Sequence, residues 1–438
     1  YFYSLFIALV FASTAITVGG CSSAPKEESG ELVKVLTFNE KVLNQPELQN
    51  RPYVVMVSID GYRADYNTIF QPPNLLAIER EGVSAKSLKP VYPSKTFPNH
   101  YAIATGMYAD RHGIVSNEFY DPIKSRMFAL KDRAAVEDGS WYFGEPLWVS
   151  VQKQGLRTAT FFWVGSEAEI AGRRPNYYLR YSDQVPNADR VNQALKWLSL
   201  PEEMRPHLIM LYFSAVDSAG HRYGTKSPEL RQAVLSVDEQ IGRLREGIAK
   251  TGLPVNLVIV SDHGMVDLDP SKTFVIDQAP EVTAMLSKFM VVGRGPQLLM
   301  YLKPGEDKKL IRQTELALES IAAKNGNIFR VLRGKELAPL NYDSSPRVGD
   351  LVIDPVLPWV VGLKDSQPDV HGGNHGWNPQ SLSMHGVFMA TGPAFRNRAP
   401  LPTFENVDIY PLVMEVLRLK SPKDIDGKLI RTRSALAQ

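Results

Sequence analysis

Three acidic residues in this chain each close an apolar run, and two of them have a histidine close behind. Tyr53-Val54-Val55-Met56-Val57-Ser58-Ile59 leads to Asp60-Gly61. Leu208-Ile209-Met210-Leu211-Tyr212-Phe213 leads, through Ser214-Ala215-Val216, to Asp217 and His221. Val255-Asn256-Leu257-Val258-Ile259-Val260 leads, past Ser261, to Asp262-His263-Gly264. One aspartate after a strand is ordinarily a helix cap or a turn residue. Three of them accompanied by two histidines are hard to account for as caps. Carboxylate oxygen mixed with imidazole nitrogen suits Zn2+ better than calcium or magnesium. The single cysteine, Cys21, can form neither an internal disulfide nor a thiolate zinc site, so a metal here must be held by His, Asp or Glu.

A hydroxyl candidate lies in Pro93-Ser94-Lys95-Thr96-Phe97-Pro98-Asn99-His100. Proline is tolerated in the first turn of a helix, which places Thr96 at or near an N-cap. A hydroxyl there meets free backbone N–H groups and the positive end of a helix dipole, a setting for a phosphoryl group. Taken alone, the segment reads more readily as a plain helix cap. A threonine nucleophile also needs activation, which direct metal coordination would supply.

Continuous apolar runs of this kind suit strands covered on both faces, as in parallel α/β sheets. Helix-like stretches between them, such as 228–250, predict crossover connections. Ligands gather at the carboxyl ends of such strands, so Asp60, Asp217/His221 and Asp262/His263 are expected at one edge.

The 438 residues leave room for a large core with an added lobe, and 44% hydrophobic with 22% charged residues is an ordinary globular balance. A net charge of +2 gives no footprint for nucleic-acid binding. No internal repeat, glycine-rich phosphate loop or serine-hydrolase elbow is found. Residues 1–20 carry no charge and end Val18-Gly19-Gly20-Cys21, which resembles a bacterial lipoprotein signal with Cys21 as the lipidated end. The start lacks a Met and a basic segment and is expected to be clipped. A membrane anchor helix is the alternative, and it needs about 20 apolar residues. The expectation is an exported, periplasmic lipoprotein, with Ser22 favouring the outer membrane. Residues 21–51 read as the lipidated N-terminus and a flexible tether.

Asp60-Gly61, Thr96-Phe97-Pro98-Asn99-His100, Asp217-Ser218-Ala219-Gly220-His221, Ser261-Asp262-His263-Gly264 and Asn374-His375-Gly376-Trp377 stand in this order in the chain. In order and spacing they resemble the motifs of nucleotide pyrophosphatase/phosphodiesterases of the alkaline phosphatase superfamily, in their minimal bacterial form. The resemblance implies an α/β fold with a central mixed, mostly parallel sheet between helices and a smaller inserted subdomain. It places the catalytic domain at 52–420, with 266–369 as the insert region and 421–438 as a C-terminal tail. It implies two Zn2+ ions, one held by Asp217, His221 and His375 and the other by Asp60, Asp262, His263 and Thr96. His371 and His385 lie close to His375, which is preferred because its distance from Met384–Phe388 matches the family's spacing. Trp377-Asn378 departs from the aromatic-Asp-Asn usual in animal relatives.

The resemblance further implies attack by Thr96, a covalent phosphothreonine, and then attack by water from the side the leaving group vacated. Asn117 matches the residue that hydrogen-bonds a non-bridging oxygen beside the Phe97 N–H. A neutral amide there suits a singly charged diester, whereas a dianionic monoester favours a cation. Phe97, Leu130 and Tyr181, with Trp163 and Tyr212 nearby, would form a slot for the base; stacking discriminates little among bases. The expected products are nucleoside monophosphates from small nucleotide or phosphodiester substrates. Alternatives are a choline or lysophospholipid phosphodiesterase, a phosphonate hydrolase, a phosphomonoesterase, or a zinc-dependent binding lipoprotein. A sulfatase is disfavoured because threonine cannot become formylglycine.

Overall fold

The three apolar runs are strands, and every residue in Tyr53–Ile59, Leu208–Phe213 and Val255–Val260 is buried in the computed structural model. The structure describes residues 34–278 and 280–437; the apolar run 1–20, Cys21 and the first part of the tether lie outside them. Leu208–Phe213 and Val255–Val260 flank Tyr53–Ile59 in parallel, with Ser58 opposite both Tyr212 and Val260. This register makes the three carboxyl ends level, so the residues that follow emerge side by side.

Six further strands extend the sheet to nine, in the order Leu36–Thr37, Tyr177–Tyr178, Thr158–Phe161, Leu208–Phe213, Tyr53–Ile59, Val255–Val260, Phe388–Thr391, Val83–Ala85, Ala399–Leu401. Five of its eight pairings are parallel, and the sheet is mixed as expected. Val54, Met56, Met210, Val258 and Val260 share one core with the helices Thr96–Thr105, Leu147–Lys153 and Ile409–Val416. A second set of helices, Pro73–Glu81, Asn187–Leu198 and Pro228–Thr251, packs together. Pro228–Thr251 starts on the Ser227 hydroxyl, ends on left-handed Gly252, and buries Leu230, Val234, Val237, Ile241 and Leu244 at helical spacing. Each such side chain contributes about 1.5–3 kcal/mol of burial. Asp238 on the same helix accepts from the N–H groups of Asn74 and Leu75 at 3.2 and 2.7 Å, closing the open start of Pro73–Glu81.

Within 266–369 lies a four-stranded antiparallel sheet, ordered Phe289–Val292, Leu298–Leu302, Leu351–Pro355, Phe329–Leu332. Its faces divide by strand alternation. Leu298 and Met300 join a small core with the helix Lys309–Lys324, while Leu299 and Tyr301 join the main core. The chain enters and leaves this lobe through two strand pairs, Val266–Asp267 with Gly373–Asn374 and Thr273–Val275 with Val360–Gly362.

Both ends of the catalytic body reach further than the sequence boundaries. Residues 35–51, read as part of a tether, are docked by polar contacts that hydropathy does not register. Asn44 Nδ2 donates to the carbonyls of Glu202 and Arg205 at 2.8 and 2.7 Å, and its Oδ1 accepts from the Arg157 N–H at 2.7 Å. In the 421–438 segment, Asp424 and Asp426 both pair with Arg111, and Ala435 is buried. Val35 to the C-terminal residues thus form one unit. Among the described residues no helix is long and apolar enough to cross a membrane.

Candidate active site

Gly61 sets the spacing of the site. It has φ +67°, and a Cβ there would lie 3.0 Å from Asp217 Cα, so only glycine lets the turn after Asp60 press against Asp217. Asp262 Oδ1 accepts from the Gly61 N–H at 3.2 Å, and Ser261 Oγ from the Tyr62 N–H at 3.0 Å, tying two strand ends together. Asp217 and His221 lie four residues apart on the helix Ala215–Tyr223 and share a face. His375 follows the short strand Gly373–Asn374, whose pairing with Val266–Asp267 returns the chain beside His263; the two rings stack with centroids 3.5 Å apart.

The predicted residues converge. Ligand atoms of Asp217, His221 and His375 lie within 4.8 Å of one another, as do those of Asp60, Asp217 and His263, and those of Asp60, His100 and Asp262. Asp217 therefore stands between the two groups expected from sequence. His263 Nε2 is 2.9 Å from Asp262 Oδ2 and 3.3 Å from Asp60 Oδ1.

The donor chemistry fits a cation. Nδ1 of His221, His263 and His375 faces the carbonyls of Gly373, Gly264 and Ser94 at 2.9, 2.9 and 2.8 Å. A ring that donates from Nδ1 presents an Nε2 lone pair, the arrangement of a metal-ligating histidine. His221 Nε2 and His375 Nε2 stand 3.1 Å apart, too close for two lone pairs without an electrophile between them. Asp60 Oδ1, Asp217 Oδ1 and Asp262 Oδ2 are buried and have no hydrogen-bond partner. Burial, then the facing Asp262 and Asp217 carboxylates, holds the Asp60 carboxyl well above its usual range. Burial likewise raises Asp217 and pushes His375 well below an ordinary imidazole. Asp262 is also raised by burial, but the His263 and His100 imidazoles outweigh this and hold it well below. Three carboxylates in one dry spot call for positive charge, and no Lys or Arg belongs to the set.

Thr96 is the first residue of the helix Thr96–Thr105, with Lys95 at the cap position. The Lys95 side chain makes no capping bond, and Thr96 Oγ1 lies 3.3 Å from His263 Nε2. Asn117 Oδ1 accepts from the Phe97 N–H at 3.0 Å, so that N–H is engaged by the amide instead of lying free beside it. The Asn117 Nδ2 donor is left for a substrate oxygen. His385 is excluded as a ligand because both its ring nitrogens are used, by Ser87 Oγ and the Pro379 carbonyl. His371 is exposed.

Beside Thr96 opens a slot of about 490 Å³ lined by Phe97, Asn117, Leu130, Trp163, Tyr181 and Tyr212. These do different jobs. Tyr181 is 40% exposed, whereas Trp163 is buried and donates to the His100 carbonyl at 3.0 Å. Tyr212 OH donates to Asp60 Oδ2 at 2.6 Å, joining the slot wall to the ligand set. Three features of the site were not singled out from sequence. Phe162, at φ +71°, turns its ring against Tyr181. Arg133 pairs with buried Glu167, and both line the slot. His100 is wholly buried under Thr96, where its signal in sequence was only its place in the Thr96–His100 motif.

The fold agrees with that of the solved relatives. Residues 54–378 match the family model "Type I phosphodiesterase / nucleotide pyrophosphatase", and the chain belongs to that family. It is 31% identical over 381 residues to ectonucleotide pyrophosphatase/phosphodiesterase family member 3 of Rattus norvegicus, covering 86% of this chain and 43% of the relative. Family member 1 of Homo sapiens is 33% identical over 389 residues, 86% of this chain and 41% of the relative. This chain thus spans well under half the length of those relatives. Murine ectonucleotide pyrophosphatase/phosphodiesterase 5, solved as an inactive form in complex with AMP, superposes with a TM-score of 0.79 at 27% identity, covering 88% of this chain and all of that one.

Proposed function

We propose that this protein is a dizinc hydrolase that cleaves phosphodiester and pyrophosphate bonds of nucleotides and their derivatives, releasing nucleoside monophosphates through a phosphothreonine on Thr96. The observation that carries this reading is Thr96 Oγ1, 3.3 Å from His263 Nε2, standing between the Asp/His set and an aromatic slot. Asp217, His221 and His375 would hold one ion, and Asp60, Asp262 and His263 the other. Bound there, the ions would neutralise phosphoryl oxygens and lower the pKa of the Thr96 hydroxyl.

The chain's own residues do the rest. Thr96 Oγ forms a bond to phosphorus as the bond to the leaving oxygen breaks, and the hydroxyl proton is lost to solvent while the leaving oxygen gains one. Water then adds to phosphorus, the bond to Thr96 breaks, and Thr96 recovers its proton. Asn117 Nδ2 donates to a non-bridging oxygen throughout. Phe97 and Tyr181 hold the base by their faces, and the AMP complex of the murine relative supports a nucleoside monophosphate in the slot. Export and anchoring through Cys21 remain part of this proposal, supported by the lipoprotein-like residues 1–21.

The test compares zinc-replete wild type and Thr96→Ala on a nitrophenyl ester of a nucleoside monophosphate, on nitrophenyl phosphate and on nitrophenylphosphocholine. The nucleoside ester is expected to turn over fastest, and Thr96→Ala to lose at least about a thousandfold while still binding zinc. Full turnover by Thr96→Ala would remove the covalent mechanism. A preference for the monoester or the choline ester would move the protein to another branch of the superfamily.

A further inference from the structure

A buried thioether lies where two ligand-bearing segments meet. Met265 follows Asp262-His263-Gly264 and is 1% exposed. Beside it stands Gly220, in the helix Ala215–Tyr223 that carries Asp217 and His221; a Cβ there would lie 2.3 Å from Met265 Sδ. Gly373, shortly before His375, also faces this sulfur. A Cβ on it would lie 2.8 Å from Met265 Sδ and 2.9 Å from the Gly220 carbonyl oxygen. Neither glycine has a positive φ, so it is space and not backbone conformation that excludes a side chain at both positions.

We propose that Met265 is a positioning residue, whose thioether spaces the helix Ala215–Tyr223 from Gly373–Asn374 and so sets where His221 stands relative to His375. The proposal rests on the dizinc reading above and deepens it.

The helix leans on two supports. Asp217 and Gly220 are three residues apart and share a face, with Gly61 against Asp217 and Met265 against Gly220. His221 comes next and takes its ring orientation from the segment across the sulfur, because its Nδ1 donates to the Gly373 carbonyl at 2.9 Å. Movement of the helix about Met265 would pull the ring from that carbonyl and change the 3.1 Å separation of His221 Nε2 from His375 Nε2. The methionine is itself held. Arg63 Nη1 donates to its carbonyl at 2.9 Å, and the next residue, Val266, pairs with Asn374. An unbranched thioether suits such a gap, since it fills an irregular space between two backbones.

The experiment titrates zinc into the full chain against a chelator. Met265→Ala is expected to weaken the second zinc equivalent about tenfold and to leave the first unchanged, as for loss of a partner behind a ligand. Gly220→Ala, which keeps the methionine but crowds it, is expected to act in the same direction. In the double variant the new methyl takes up part of the space the thioether left, so the loss should be smaller than the two single losses combined. Additive losses overturn the proposal. Met414→Ala, an equally buried methionine on the helix Ile409–Val416, measures the effect of a core cavity alone. If Met265→Ala lowers only thermal stability, or if Met414→Ala weakens zinc as much, Met265 is core filling and the proposal falls. Hydrogen exchange of the zinc-free chain is independent of metal: faster exchange over 215–223 in Met265→Ala supports the spacer, and unchanged exchange there overturns it. If wild type takes up fewer than two zinc equivalents, the dizinc reading falls and exchange alone decides the role of Met265.

Discussion

Ser58 Oγ lies 2.8 Å from His100 Nε2, with both residues wholly buried beneath the turn that carries Thr96. The serine hydroxyl donates to Nε2, which leaves the proton on Nδ1. That proton faces the Thr96 carbonyl at 2.9 Å and Asp262 Oδ2 at 3.3 Å. His100 is thus a positioning residue, anchored to the Thr96 carbonyl and packed beside Asp262.

Ser58→Ala removes the group that fixes this tautomer. Zinc affinity is expected to fall about tenfold, the usual loss when a partner behind a ligand is deleted. Chelator competition measures it, and Ser58→Thr is expected to restore it. If Ser58→Ala lowers only thermal stability and leaves zinc affinity intact, the pair is mere packing.

The facing Nε2 atoms of His221 and His375 define one half of the ligand set. Wild type is expected to bind two zinc equivalents and His375→Ala one. Metal analysis after exhaustive dialysis would show it. Two equivalents retained by His375→Ala would mean that the histidines meet for another reason.

Tyr181 has the most exposed ring in the slot. Stacking on a base contributes about 1–3 kcal/mol. Tyr181→Ala should therefore raise KM for a nucleoside ester by roughly tenfold with little change in kcat, and should spare bis-nitrophenyl phosphate, which has no nucleoside. Equal losses on both would place Tyr181 outside base recognition.

Acid should weaken the fold through two buried histidines outside the ligand set. His112 Nε2–H donates to the Pro98 carbonyl at 3.1 Å, and its Nδ1 accepts from the Ile114 N–H at 3.2 Å, so a second proton has no acceptor. Burial lowers His112 to about 3 and His207 to about 4, against about 6.5 when unfolded. Below about 6.5 the unfolded chain holds more protons, so stability is full above that pH and is lost as pH falls through the folded values. Thermal midpoints of chelator-treated protein from pH 7.5 to 4.5 should fall less steeply in His112→Gln than in wild type. Parallel curves would acquit His112.

What sequence could disclose followed the range of each interaction. Asp60, Asp217 and Asp262 were legible because each ends a run whose apolar character is local, and Asp217/His221 because four residues make one helical turn. His375 needed family spacing, since the strand pair that carries it joins residues more than a hundred positions apart. The role of His100 was hidden, because it depends on a partner from another element. The docking of residues 35–51 escaped notice for a different reason: Asn44 holds it by hydrogen bonds, which leave no periodicity to read.

The strand pair Val266–Asp267 with Gly373–Asn374 makes the inserted lobe begin and end at the same place. His263 lies just before it and His375 just after, so the distance between these two ligands is set by the pairing and not by the length of chain in between. The lobe can therefore be lengthened, shortened or re-edged without changing the distance between the two histidines.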